Sequence, residues 1–526
     1  MKKLYTEEKP VYRLMTMAVL AAALFFVVRI VYAGILALPY PKELLEPSNI
    51  VLTQTFMEDR SPYTQASLAW EIPGVNYDYP FLNSLLAAAI AIVTRCGAVN
   101  AHFVISLGSI LVSGLIGYSI LKKYAVTTVS PVFAAILFMF CHWRFGYISA
   151  APDDLGLLLM LITTCTAVSP KVGNKPFWCA LGITLCLYTK QYFVFVAVGI
   201  FIYMLTYSRK EAFKLFAWSV AINVAAAIAI TVFWPLYWTK AFLLTYLGTA
   251  LTGNGGFATF IDQFGYLIVL FAALFVMITV SAAIALKKLY ISKGKLTDIK
   301  IGENDAFALS AIQSVVMIVP LAILGRNDGA FISYFLQLWM PYISIVALIS
   351  FERMRPEKHE YVYAGIYAAF ILITIYFGIT KLPLHILTEQ ERSDWQKAYQ
   401  YVEEASEKGD VFYARPLAYI SFEKDGRDCI CGHDGEVSEN TQEVLEYAGI
   451  DAGSLTYVNS LVEQNTGYRK KIYEKAENQK YALITLDNSD AYCPLYESLV
   501  EGYGYRCTDR LSLQLGNWPY EVSFYE

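Results

Sequence analysis

The chain has 526 residues, 56% of them hydrophobic and only 16% charged, with a formal net charge of -4 at pH 7. Soluble domains carry nearer a quarter charged residues, and a mean hydropathy of +0.43 points instead to a polytopic membrane protein. No basic arm or RNA-binding signature is present, which excludes nucleic acid as a partner.

The N-terminal run "VYRLMTMAVLAAALFFVVRIVYAGILAL" is too long for a signal peptide and lacks a small-residue cleavage site, so it reads as an uncleaved first span. Arg29 lies inside it and is expected to face protein or water rather than lipid. Apolar runs of span length then recur to about residue 383. The predicted spans are 13–38, 101–121, 128–148, 154–169, 175–190, 191–207, 213–235, 263–286, 306–324, 332–351 and 361–380, about 11 in all.

Basic residues of short loops mark the cytoplasmic side. Lys2, Lys3, Lys9 and Arg13, then Lys122 and Lys123, Lys171 and Lys175, Arg209 and Lys210, the lysines between 287 and 300, and Arg353 with Arg355 all fall on one side only if residues 79–95 do not cross. That segment, which begins beside Pro80, is therefore expected to lie in the interface. Residues 175–207 form one long apolar stretch broken only by "TKQ", so the chain should fold back near Lys190 at the outer face. The longest outer loop is then 39–100, rich in aromatics and Pro.

From about residue 384 the chain turns polar, and an odd number of crossings puts 384–526 outside the cytoplasm. This part reads as α/β. "DVFYA" and "YALITL" are predicted strands, "SENTQEVLEYAG" and "LYESLVEGY" predicted amphipathic helices, and the tail a closing hairpin. Cys429, Cys431, Cys493 and Cys507 are read as disulfides or free thiols; the tight "CICGH" spacing does not suit a usual zinc site.

Candidate chemistry gathers at the outer ends of the spans. Glu43 and Glu46 in "YPKELLEP" share a face if the loop opens with a turn of helix, and the alternative is a pair of solvated loop acids. Asp153 and Asp154 in "SAAPDDLGLLL" suit a helix start, where one carboxylate can cap free N–H groups. Arg144, Lys190 and Arg326 are outer-face cations that call for an anionic partner, with snorkelling to headgroups as the alternative.

The order of "YPKELLE", "GVNYDYPFLNSLLAAAIAIV", "SAAPDDLGLLLMLI", "GITLCLYTKQYFVFV" and "NDGAFISYFLQLWMPYI" resembles the GT-C superfamily of integral-membrane glycosyltransferases over roughly residues 12–380. The likeness is to the bacterial branch related to protein O-mannosyltransferases and aminoarabinose transferases. The resemblance implies a polyprenyl-phosphate-linked sugar donor, a glycan, lipid or protein acceptor outside the cytoplasm, and inversion. It implies Glu43 or Glu46 as catalytic base, with Asp153 as the second-loop acid. Lys190 stands where the family has the Lys of "TKQ", and Tyr334 lies in a stretch that usually reads "NYFL", with Ser333 replacing the Asn. Lys190, Arg326, Arg144, Tyr334, Tyr77 and Asp154 are the expected substrate-binding residues, and Tyr77, Tyr79 and Trp70 suit sugar stacking or the interface belt. Some members use a divalent ion, Mg or Mn, near the first-loop acids and others none; no cluster here demands one. The competing readings are a transporter, which should show repeats and midplane ionisable groups, and a non-catalytic cell-envelope protein.

Overall fold

The computed structural model describes residues 10–42, 46–58, 62–63, 79–144, 146–235, 237–238, 241–242, 257–279, 302–324, 331–353, 360–382, 384–420, 428–429, 474–488 and 493–526. Among them, five helices are long and apolar enough to cross a membrane, or seven if two bent pairs each count as one. The five are Pro10–Ala37, Ala98–Leu121, Arg209–Phe233, the 306–324 segment and 361–381.

Of the other predicted spans, two are broken for local reasons and two keep about their predicted length, which is short for a straight crossing. The run 128–148 gives a helix only over Val129–Phe140. Beyond it His142, Arg144 and Gly146 (φ +157°) break the periodicity, and 141–152 becomes an irregular buried segment. The run 332–351 is two helices, Phe331–Leu338 and Met340–Arg353, bent by 53° next to Pro341. Asp153–Ala167 and Lys175–Thr189 have 15 residues each. That is roughly 22 Å of helix at 1.5 Å per residue, against a hydrocarbon core of about 30 Å.

The expected turn near Lys190 is present. Lys175 at the start of Lys175–Thr189 donates to Glu303 Oε1 (2.9 Å) and Asn304 Oδ1 (2.7 Å). Tyr203, near the end of the following helix Val196–Tyr207, donates to the Gly302 carbonyl at 2.8 Å. Both far ends meet one loop, so the chain doubles back through the 3-10 turn Gln191–Phe195.

Several of the basic loops collect at this end of the bundle. Tyr124 Oη accepts from Ala306 N at 3.0 Å, and Arg353 stands over the Phe307 ring at 4.7 Å. Glu352 is buried here. Its carboxylate accepts from Val126 N (3.1 Å), Thr127 Oγ1 (3.2 Å) and Ser130 Oγ, so it ties the entry to Val129–Phe140 to another helix. The same helix packs tightly on Ala98–Leu121, because Gly117 lets the Ala134 carbonyl approach to 2.9 Å of where a Cβ would stand.

At the opposite end the described residues of the loop 39–100 include two helices. Glu46–Met57 lies where the sequence gives only a loop rich in aromatics and Pro. Leu82–Thr94 has 13 residues, too short to span. It buries Asn83, Ser84, Ala87, Ala88 and Ala91 toward Glu46–Met57 and Ala98–Leu121.

Residues 384–526 add a helix, Glu389–Ser406, and a five-stranded sheet. The strands are β1 Asp410–Tyr413, β2 Asp428–Cys429, β3 Tyr481–Asp487, β4 Cys507–Leu515 and β5 Trp518–Tyr525. The order is β2-β1-β3-β5-β4, parallel across β2-β1-β3 and antiparallel beyond. The closing hairpin is present, turning at Gly516 with φ 57°, as a tight two-residue turn requires. Cys493–Gly502 is the second predicted helix; the predicted helix 438–449 and Cys431 lie outside the described residues, and Cys507 is a free thiol. Glu389–Ser406 opens with a capping box between Thr388 and Glu391, a signal the sequence reading passed over. Its Trp395 is fully buried, donates to the Gln514 carbonyl (3.1 Å) and stacks on Tyr40 from the first loop at 5.1 Å. The polar C-terminal part is thereby joined to the end of the bundle that carries the first loop. Arg29 donates to the Leu384 carbonyl at 3.5 Å, facing protein as expected.

Replacing Glu352 with Ala should strand Val126 N and the Thr127 and Ser130 hydroxyls, at a cost of about 1–3 kcal/mol. A lowered thermal midpoint of the detergent-solubilised chain, largely restored by Glu352→Gln, is the expected result.

Candidate active site

The irregular segment 141–152 and the first turn of Asp153–Ala167 build the site. Pro152 takes the N-cap position without a side-chain cap, and neither Asp153 nor Asp154 caps the helix. The helix-cap alternative is thus corrected: both carboxylates turn to side chains instead. Asp153 is 2% exposed, and its two oxygens hold three donors. Arg144 Nη1 (2.5 Å) and Lys190 Nζ (2.6 Å) both donate to Oδ2, and Tyr192 Oη donates to Oδ1 at 2.7 Å. Arg144 and Lys190 are themselves 4% and 2% exposed. These are charge-assisted hydrogen bonds in a nearly dry setting, short and strong for that reason.

Tyr79 bridges the two cations. Its hydroxyl is 3.1 Å from Arg144 Nη2, and its ring lies 4.5 Å beneath Lys190 Nζ. Lys190 also stands 5.0 Å from the Tyr192 ring centre, and Tyr334 meets Tyr192 edge-on at 5.2 Å. A Cβ on Gly156 would stand 2.3 Å from the Phe193 ring. That close approach presses the Lys190–Phe193 turn onto Asp153–Ala167 and delivers Lys190 and Tyr192 to Asp153.

Asp154 points elsewhere. It pairs with His142 Nδ1 at 2.8 Å and accepts from Ser106 Oγ, all three buried. Sequence reasoning placed Asp154 among substrate-binding residues, and the structure gives it to this separate pair.

Glu46 also differs from expectation. It is the first described residue of its helix, and Glu43 lies outside the described residues, as do Tyr77 and Arg326. Glu46 is 3% exposed. One oxygen accepts from Lys42 N and the other from Ala150 N at 2.6 Å. The Ala150 carbonyl in turn accepts from Asn83 Nδ2 at 3.2 Å, so this residue is held at both its N–H and its C=O. Lys42 Nζ donates to the Ile148 carbonyl at 3.0 Å. Burial lowers the pKa of the Lys42 ammonium, opposed by the nearby charges of Glu46 and Asp154. Glu46 is therefore a seam between the first loop and the segment carrying Arg144 and Asp153, not a solvated loop acid.

Sequence reasoning named Asp153, Arg144, Lys190 and Tyr334, and the structure brings these together. It missed Tyr192, Gln337, His142 and Ser106. Tyr192 and His142 each lie two residues from a named cation, a spacing that gave no helical signal. Among the described residues no group of three His, Cys, Asp or Glu side chains could hold a metal ion.

No family profile and no curated protein sequence matches this chain. Solved structures do. ArnT from Cupriavidus metallidurans bound to undecaprenyl phosphate superposes with a TM-score of 0.55 over 95% of this chain and 97% of that one, at 11% identity. The same protein in the apo state gives 0.44 over 97% and 98%, at 11% identity. The oligosaccharyltransferase of Archaeoglobus fulgidus in its apo form gives 0.45 over 78% and 64%, at 11% identity. Only the first of these scores bears on the fold. ArnT, an aminoarabinose transferase, and the archaeal enzyme are both GT-C glycosyltransferases. The fold shared with ArnT runs nearly end to end, and at 11% identity the likeness is one of fold, not of substrate.

Two outcomes follow from this geometry. Asp153→Ala should leave Arg144 and Lys190 buried without their shared counter-charge and cost about 3–5 kcal/mol, read as a loss of folded protein; Asp153→Asn, which keeps the shape, should cost less. Gly156→Ala should displace Phe193 and loosen Tyr192 from Asp153, lowering the thermal midpoint by more than Gly108→Ala, where a Cβ meets nothing within 4 Å.

Proposed function

We propose that this chain is a membrane glycosyltransferase that moves a sugar from a polyprenyl-phosphate carrier to an acceptor hydroxyl outside the cytoplasm, with inversion. The observation that carries the reading is the pair of buried cations, Arg144 and Lys190, fixed on one carboxylate. In the reaction the bond between the anomeric carbon and the phosphate oxygen breaks while the acceptor oxygen attacks from the opposite face. The leaving phosphate takes up negative charge, and two preoriented cations stabilise it without reorganising. The ring passes through an oxocarbenium-like state, as in glycoside hydrolysis.

The acceptor hydroxyl must give up its proton. Asp153 already holds three donors and Glu46 two backbone N–H groups, so both are poorly suited to receive it. We therefore assign the base to Glu43 and make Asp153 the anchor of the cations. A divalent ion, Mg or Mn, would have to be held through Glu43, since neither Glu46 nor Asp153 offers an idle oxygen. The same proposal takes residues 1–383 as the membrane domain, with an odd number of crossings and its N-terminus in the cytoplasm, and 384–526 as an extracytoplasmic domain over the site.

Transfer from a panel of radiolabelled polyprenyl-phosphate sugars to membrane extracts tests the reading. Glu43→Gln should reduce transfer by about 10²–10⁴-fold with the protein still folded. Lys190→Ala should lose transfer as well. Normal turnover in Glu43→Gln would remove the assigned base, and no transfer from any donor to any extract would count against the reaction itself.

A further inference from the structure

Helix Phe331–Leu338 presents Ser333, Tyr334 and Gln337 on one face, spaced by one turn. Gln337 is fully buried, and one end of its amide lies 2.8 Å from Tyr192 Oη. A phenol has one proton, and here it goes to Asp153, whose charge is fixed by Arg144 and Lys190. The amide end facing Tyr192 must then be the NH2, donating to the phenol oxygen. The far end of the Gln337 amide, which is the carbonyl once the NH2 faces the phenol, is buried, and the atom there has no hydrogen-bond partner. One turn earlier Ser333 is 1% exposed, and its hydroxyl also has no partner. A buried polar group without a partner costs about 1–3 kcal/mol, and two on one helix face, one of them against Tyr192, call for a ligand.

We propose that Ser333 and Gln337 form the hydroxyl-reading edge of the sugar pocket, which makes them specificity-determining residues; this rests on the glycosyl-transfer reading above. The pair offers one carbonyl acceptor and one hydroxyl, the complement of sugar hydroxyls that both donate and accept. Both groups are neutral. The nearest formal charges, reached from Gln337 through Tyr192, are the two cations and the carboxylate that already holds three donors, so an ammonium-bearing sugar is disfavoured there. The expected donor therefore carries a neutral sugar, unlike the aminoarabinose of the ArnT reaction.

The test measures binding of the full-length chain in detergent to three probes: undecaprenyl phosphate, undecaprenyl phosphate linked to each of several neutral hexoses, and undecaprenyl phosphate linked to aminoarabinose. At least one neutral hexose should bind more tightly than the bare carrier. Ser333→Ala should lose about tenfold for that hexose, the worth of one hydrogen bond, while the bare carrier stays within about twofold; Gln337→Leu should lose at least as much for the hexose. Ser333→Thr, which keeps the hydroxyl, should retain the preference. The proposal is overturned if hexoses bind no better than the bare carrier, if both variants weaken all probes alike, or if the aminoarabinose carrier is preferred. A wild-type chain that binds hexose and bare carrier equally leaves the glycosyl-transfer reading standing and removes only this proposal. A wild-type chain that binds no probe at all removes both.

Discussion

Two like charges in a dry place repel, and the site depends on how that repulsion is cancelled. Arg144 comes from an irregular segment and Lys190 from the elbow between two helices, and neither would stay buried alone. Asp153 holds both on one oxygen, and Tyr192 occupies the other. The arrangement fixes three separate stretches of chain to a single point at the end of the bundle. It also explains why the helices around it are short. Helix Val129–Phe140 stops so that 141–152 can bring Arg144 and Asp153 together, and the 175–207 stretch breaks so that Lys190 and Tyr192 can reach them.

The surrounding polar groups keep that point in place. Glu46 holds the N–H and Asn83 the C=O of Ala150, three residues before Asp153. Asn83 lies near His102 Nδ1 at 3.4 Å, and His102 Nε2 meets Thr53 Oγ1 at 2.8 Å. Elements from the first loop are thus linked to the segment beside Asp153 by one chain of buried contacts. Satisfied networks of this kind rigidify what they hold. Glu352 does comparable work at the far end, where it joins two helices without any catalytic association.

Much of this frame was readable from the chain itself. Apolar runs gave the long helices, "TKQ" gave the elbow, and the basic loops gathered at one end as their charges implied. Asp153, Arg144 and Lys190 stood out because charged residues at span ends need partners. The misreadings have a common source in that apolar length does not say where a helix breaks. His142, Arg144 and Gly146 were absorbed into the predicted span 128–148, and their turn was lost. The contact that buries Glu46, from the Ala150 N–H, comes from 104 residues away and leaves no mark in the sequence. Tyr192 and Gln337 are 145 residues apart and carry no pattern that would pair them. Contacts between distant polar residues depend on the packing that brings them together, and a single sequence does not record it.

The most direct test of the account is a structure of the full chain with undecaprenyl phosphate bound. It should place the phosphate within hydrogen-bonding distance of Arg144 or Lys190, with Asp153 still holding both. A phosphate bound elsewhere while Arg144 and Lys190 stay closed around Asp153 would contradict it, and would make the ion cluster a device of folding alone.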